Sequence, residues 1–98
     1  MATGLIKAQP YIYTKRYVNE VGITYSDHSS AYQNYSLTEN GARPIGIVGI
    51  TGSGTGKFSS FDYYISADGT SASVYYRNDS GGNAVLTRLA IDVLYVRE

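Results

Sequence analysis

The chain has no cysteine and no tryptophan, one histidine, one methionine and two prolines, and its eight basic residues are matched by eight acidic ones. The missing cysteines exclude a disulfide framework and a thiolate metal site. Sparse, balanced charge provides no field to draw nucleic acid or an anionic membrane surface. No apolar run approaches the roughly 20 residues that cross a bilayer as a helix. The opening MATGLIKAQP lacks the basic and apolar regions of a signal peptide, so the expected product is a soluble protein made without secretion and without membrane insertion. Asn34-Tyr35-Ser36 and Asn78-Asp79-Ser80 match the glycosylation sequon and are read as chance on the same ground. No segment repeats its apolar residues at the helical spacing, which excludes a helical class. Ninety-eight residues make one small domain, which buries a smaller share of its surface than a large one and gains from oligomer contacts.

What the chain has instead is tyrosine and glycine, eleven of each. Tyrosine suits the pleated surface of a strand and also serves binding faces. The stretch from Arg43 to Glu98 sets the pattern. Four apolar or alternating runs, Pro44–Thr51, Phe61–Ser66, Ala72–Arg77 and Leu86–Arg97, are divided by Gly, Ser, Asp and Asn, as in an antiparallel β meander. In PIGIVGIT, Ile45, Ile47 and Gly49 fall on one side and Gly46, Val48 and Ile50 on the other. A strand apolar on both sides is expected to be buried on both. Along Leu86–Arg97, Leu89, Ile91, Val93 and Tyr95 form a core face. Upstream, Tyr11–Val18 places Tyr11, Tyr13, Lys15 and Tyr17 on one face; Asn19-Glu20 marks a turn or bulge and Val21–Tyr25 continues extended. Ala31–Leu37 is a further strand. Asn40-Gly41 and Asp68-Gly69 are turn dipeptides, whereas Ser26–Ser30, Thr51–Ser60 and Asn78–Asn83 read as loops. Strands at this spacing predict an all-β fold, an antiparallel six- to seven-stranded β-sandwich over residues 11–98 with a lead-in at 1–10.

Catalytic motifs are missing. Gly52-Ser53-Gly54-Thr55-Gly56-Lys57 resembles a phosphate loop, but Thr51 stands where its first glycine belongs and Phe58 where a Ser or Thr would bind magnesium. His28, beside Asp27, has no nucleophile elbow to serve. Asp62, Asp68 and Asp79 do not make a calcium loop, and no two acids are singled out as a glycosidase pair. The expectation is a protein with no enzymatic activity, no cofactor and no metal. The tyrosines carry more. Tyr63-Tyr64 and Tyr75-Tyr76 flank the Ala67–Thr70 turn, so the pairs should be cross-strand neighbours, each with one member in the core. Tyr64 and Tyr75 are then outward, with Arg77 on Tyr75's face. Ordinary sheet packing explains such a patch; so does stacking on a sugar ring.

The PIGIVGI strand, the YYRND segment and the terminal AIDVLYVRE resemble the C-terminal domains of bacteriophage tail-fibre and receptor-binding proteins, and the strand order and spacing resemble the H-type lectin sandwich. The resemblance covers about Tyr11–Glu98. It implies a homotrimer located in the virion, made in the bacterial host cytoplasm, that attaches non-covalently to a bacterial surface glycan. Tyr64, Tyr75 and Arg77 are the candidate ligand-binding residues. The alternative is a purely structural virion protein, a fibre or capsid decoration module whose partners are other virion proteins.

Overall fold

The computed structural model describes residues 11–60 and 62–97; the lead-in expected at 1–10 lies outside them. Seven strands form two antiparallel sheets: β1 (Ile12–Tyr25), β2 (Ser30–Ser36), β3 (Ala42–Gly54), β4 (Phe58–Ser59), β5 (Tyr63–Ile65), β6 (Ser71–Asn78) and β7 (Ala84–Arg97). One sheet has the order β1-β7-β3. In the other, β2 and β4 flank β6, and β5 also pairs with β6, so β4 and β5 lie end to end along one edge. The arrangement is that of a β-sandwich, but not of a meander. The chain passes from sheet to sheet at β1–β2, β2–β3, β3–β4 and β6–β7. Only β5 and β6 are joined as a simple hairpin.

The core lies between the sheets and is built from alternate residues, as the period of two requires. Leu89, Ile91, Val93 and Tyr95 of β7 meet Ala72, Val74 and Tyr76 of β6 and Tyr35 of β2. Tyrosines make up much of this interior because their hydroxyls find one another. Tyr17 and Tyr95 share a hydrogen bond of 2.6 Å, Tyr35 and Tyr76 one of 2.7 Å, and Gln33 donates to the Tyr25 hydroxyl at 2.9 Å. A buried phenol without such a partner costs about 1–3 kcal/mol. Burial pushes the Tyr35 and Tyr95 hydroxyls far above their ordinary range, with the tyrosine partners adding to it.

β1 is continuous, and its bulge falls between Glu20 and Ile23, where two residues oppose one on β7, slightly beyond the Asn19-Glu20 position expected. β3 departs further. Its register against β7 slips at Pro44/Gly46 and again at Ile47/Gly49. Pro44, Ile47 and Ile50 therefore pair with Tyr95, Val93 and Ile91, and inward positions recur every third residue. Ile45 does not share the buried side with Ile47. Ile45 and Val48 are 47% and 61% exposed while Ile47 is buried, so β3 is an edge strand, not one covered on both sides.

The segment 51–60, expected to be a flexible loop, is mostly strand: 51–54 complete β3 and Phe58-Ser59 form β4. Its glycines are places of close approach. A Cβ on Gly54 would lie 1.9 Å from the Val85 carbonyl oxygen, and one on Gly56 would lie 2.0 Å from Ser80 Oγ. At the Asp68-Gly69 turn the demand is conformational: Gly69 has φ +73°, and Asp68 Oδ1 accepts from Ser66 Oγ at 2.7 Å and from Thr70 Oγ1 at 2.8 Å.

Four carboxylates are held below their ordinary range: Glu39 by the Tyr13 hydroxyl and then Lys15, Asp68 by Ser66 and then Thr70, Asp79 by Ser59 and then Arg77, and Asp92 by Arg16. A depressed folded pKa gives stability that is complete above the unfolded value of about 4 and is lost as pH falls through the folded one. Thermal melts should be flat with respect to these groups above about pH 5 and fall below about pH 4. A melting temperature that rises from pH 5 to pH 3 would contradict this assignment.

Candidate functional site

The outer face of the second sheet carries the candidate site. The turn Ala67–Thr70 closes with Ser66 N–H donating to the Ser71 carbonyl at 2.9 Å. That closure sets Ile65 against Ala72, Tyr64 against Ser73 and Tyr63 against Val74, and Tyr75 N–H donates to the Asp62 carbonyl at 2.9 Å. The two tyrosine pairs are thus offset rather than directly opposed: Tyr64 lies diagonal to Tyr75, and Asp62 stands across from Tyr75. Tyr76 is buried and Tyr64 is 59% exposed, as the outward assignment of Tyr64 requires, whereas Tyr63, expected in the core, is itself 38% exposed.

The structure brings Tyr64, Tyr75 and Arg77 to one face and adds a residue the sequence reading missed. Tyr32 of β2 pairs with Tyr75. Its ring centroid lies 5.2 Å from that of Tyr75 and 6.0 Å from that of Tyr64, the latter contact edge-on. Tyr32 is the hub of the three rings and is itself 45% exposed. Its hydroxyl donates to Asp62 Oδ2 at 2.6 Å; that carboxylate, and then burial, raise the phenol's pKa. Tyr75 donates to Ser30 Oγ. Beside Tyr64, Ser73 Oγ donates to Asn34 Oδ1 at 2.7 Å. Both rings of the Tyr32–Tyr75 pair are therefore fixed at their hydroxyl ends, and the patch is preorganised.

Arg77 stands at the far end of the face. Its Nε donates to Asp79 Oδ1 at 2.7 Å. Ser73, the partner of Tyr64, lies four residues from Arg77 on β6, about 13 Å at strand rise. A ligand that touches both Tyr64 and Arg77 is extended.

The other sequence candidates are separated from this face or held in structural contacts. The Gly52–Lys57 segment runs from one strand through a tight turn towards the next, not into a helix. The Thr55 N–H donates to the Val85 carbonyl at 3.0 Å and the Lys57 N–H to Ser80 Oγ at 2.7 Å, so these amides are engaged within the fold. His28 sits at φ +62° in the β1–β2 loop, its Nδ1 3.0 Å from Asp27 Oδ1. Among the described residues no three His, Asp or Glu side chains converge as metal ligands. A cleft of about 420 Å³ at the opposite end of the sandwich lies between Leu37–Glu39, Pro44 and the Ser66–Thr70 turn. Its two acids are engaged, Glu39 by Tyr13 and Lys15 and Asp68 by the turn itself. No family model matches the chain, and neither does any curated protein or solved structure.

Proposed function

We propose that the chain is a non-catalytic attachment module of a phage or prophage tail fibre, which binds a carbohydrate on the bacterial surface through the outer face of the β2–β6–β5 sheet. The observation that carries the proposal is the cluster of Tyr32 and Tyr64, exposed on a sheet face, with the half-buried Tyr75 against Tyr32, braced by Asp62 and Ser30. Rigid aromatic rings offer contact area at low entropic cost, and the flanking Asp62, Asn34 and Arg77 supply directional hydrogen bonding. In the proposal the chain works as a homotrimer in the virion after synthesis in the host cytoplasm, and avidity multiplies a weak single-site affinity. It uses no cofactor or metal.

The second reading, a structural virion protein with protein partners alone, is favoured by a different observation: the outer face of the other sheet, which none of the described residues covers, carries exposed apolar side chains, including Ile12, Val18 and Val48. Tyr64→Ala separates the two. Tyr64 is largely exposed, so its loss should move the melting temperature by no more than about 4 °C, which corresponds to about 1 kcal/mol in a domain of this size. Adhesion through this face predicts a roughly tenfold weaker binding to bacterial cells and to a glycan array, equivalent to about 1.4 kcal/mol per site. A purely structural role through the other sheet predicts no glycan binding by the wild type and no change of assembly in Tyr64→Ala. Binding that survives Tyr32→Ala, Tyr64→Ala and Tyr75→Ala alike removes the site from this face.

A further inference from the structure

Among the described residues, none covers the outer face of the β1–β7–β3 sheet. On this side its central strand carries Leu94 and Val96, half-buried, and Ala90, buried, paired with Thr14, Ile12 and Val18 of β1. Ile12 is 53% and Val18 40% exposed. β3 contributes to this side through its two bulges. An unbroken strand that buried Ile47 would bury Ile45 with it. The bulges instead leave both Ile45 and Val48 exposed, while Pro44, Ile47 and Ile50 stay in register with the core residues of β7. Bulges re-aim side chains, and here two of them turn two β-branched apolar residues outward.

The charges on the face cancel in pairs. Arg16 Nε and Nη2 donate to Asp92 Oδ1 and Oδ2 at 2.8 and 3.0 Å, and Glu20 lies opposite Arg88, with Arg43 on β3 opposite Val96 at one end. A surface that neutralises itself in this way meets its own copy without net repulsion along its middle. Its size also fits. Strands of 13 and 14 residues, at about 3.3 Å per residue and about 4.8 Å between strands, give a face of roughly 650 Å². That is most of the roughly 800 Å² which each partner buries in a standard interface.

We infer that this face is the surface by which copies of the chain pack on one another, with Ile45 and Val48 as the side chains that the bulges supply to the contact. The inference rests on the self-association proposed above and assigns it a surface. Static light scattering at micromolar concentration on the full chain tests both. The wild type is expected at a multiple of the chain mass. Val48→Glu and Val18→Glu, on opposite edges of the face, should each give the mass of one chain with an unchanged β circular-dichroism spectrum. Asn40→Glu, an exposed position elsewhere, should leave the assembly intact. Val48→Ser, which introduces no charge, should raise the dissociation constant about tenfold or more, so the surface is tested even where the glutamate variants fail to fold. An oligomer that persists in Val48→Glu, Val18→Glu and Val48→Ser overturns the surface and leaves self-association standing. A monomeric wild type overturns both. A monomer whose melting temperature drops when Met1–Pro10 is removed gives the face to that segment instead.

Discussion

Gly54→Ala should lower the melting temperature by about 15 °C or prevent folding altogether. The new methyl carbon would sit 1.9 Å from the Val85 carbonyl oxygen, 2.9 Å from the Val85 carbonyl carbon and 3.1 Å from Leu86 Cα. All three obstacles are backbone, so no rotamer change relieves them. Relief requires the end of β3 to separate from β7, and overpacking of this kind costs typically 1–3 kcal/mol and more where the backbone must move. At about 3 kcal/mol, a domain of this length loses about 15 °C. Gly22→Ala is the matched control. It lies at the β1 bulge, its φ is not in the left-handed region, and nothing stands within 4 Å of an added Cβ; its melt should be unchanged or slightly higher. A Gly54→Ala protein that melts within about 4 °C of the wild type would show that the two strands are not in contact at this point.

The second large effect is expected at Asn78. Its side chain is fully buried at the end where three loops meet. Nδ2 donates to the carbonyls of Tyr25, Ser26 and Gly82 at 3.1, 3.1 and 2.8 Å, and Oδ1 accepts from the Ser80 N–H at 2.9 Å. Ser80 in turn is bonded to Lys57, so one amide ties the β1–β2 and β6–β7 loops together and, through Ser80, the β3–β4 turn. Asn78→Ala strips partners from several buried backbone groups, each worth about 1–3 kcal/mol when orphaned. A loss of about 3 kcal/mol, again about 15 °C, is expected in chemical and thermal denaturation. Asn78→Asp is the sharper test. It sets a carboxylate against three carbonyl oxygens, which raises its folded pKa above the unfolded value of about 4. The variant's deficit should therefore be smallest below about pH 4 and grow as pH rises. A deficit independent of pH would mean that the amide donors are not what matters at this position.

Much of this architecture is written locally in the chain. The core face of β7 follows from the alternation Leu89, Ile91, Val93, Tyr95, and the β5–β6 hairpin follows from the Asp68-Gly69 turn. What could not be read depends on partners distant in sequence. A bulge is defined only against the neighbouring strand, so nothing within PIGIVGIT distinguishes an unbroken strand from one that turns Ile45 and Val48 out. The glycines of 52–56 have the composition of a flexible loop; Val85 and Ser80, which make their small size necessary, lie far along the chain. The aromatic face was partly visible. Tyr64, Tyr75 and Arg77 were identified from the hairpin, and a four-residue turn at Ala67–Thr70 would have placed Asp62 opposite Tyr75 as well. Tyr32 was missed because β2 reaches β6 through no local turn, and its register has no short-range signal.

The order of strands in the first sheet has a consequence for synthesis. β7 lies between β1 and β3, and it is the last of the seven to leave the ribosome. Until it does, β1 and β3 have no neighbour in their own sheet, although both have long been made. The pairing of Ile12 with Val96 joins segments from opposite ends of the described chain, the kind of distant contact that slows folding. Through that interval the apolar β3 and the long β1 are unpaired edges in a crowded cell, and the chain's sparse charge offers little to keep them from one another.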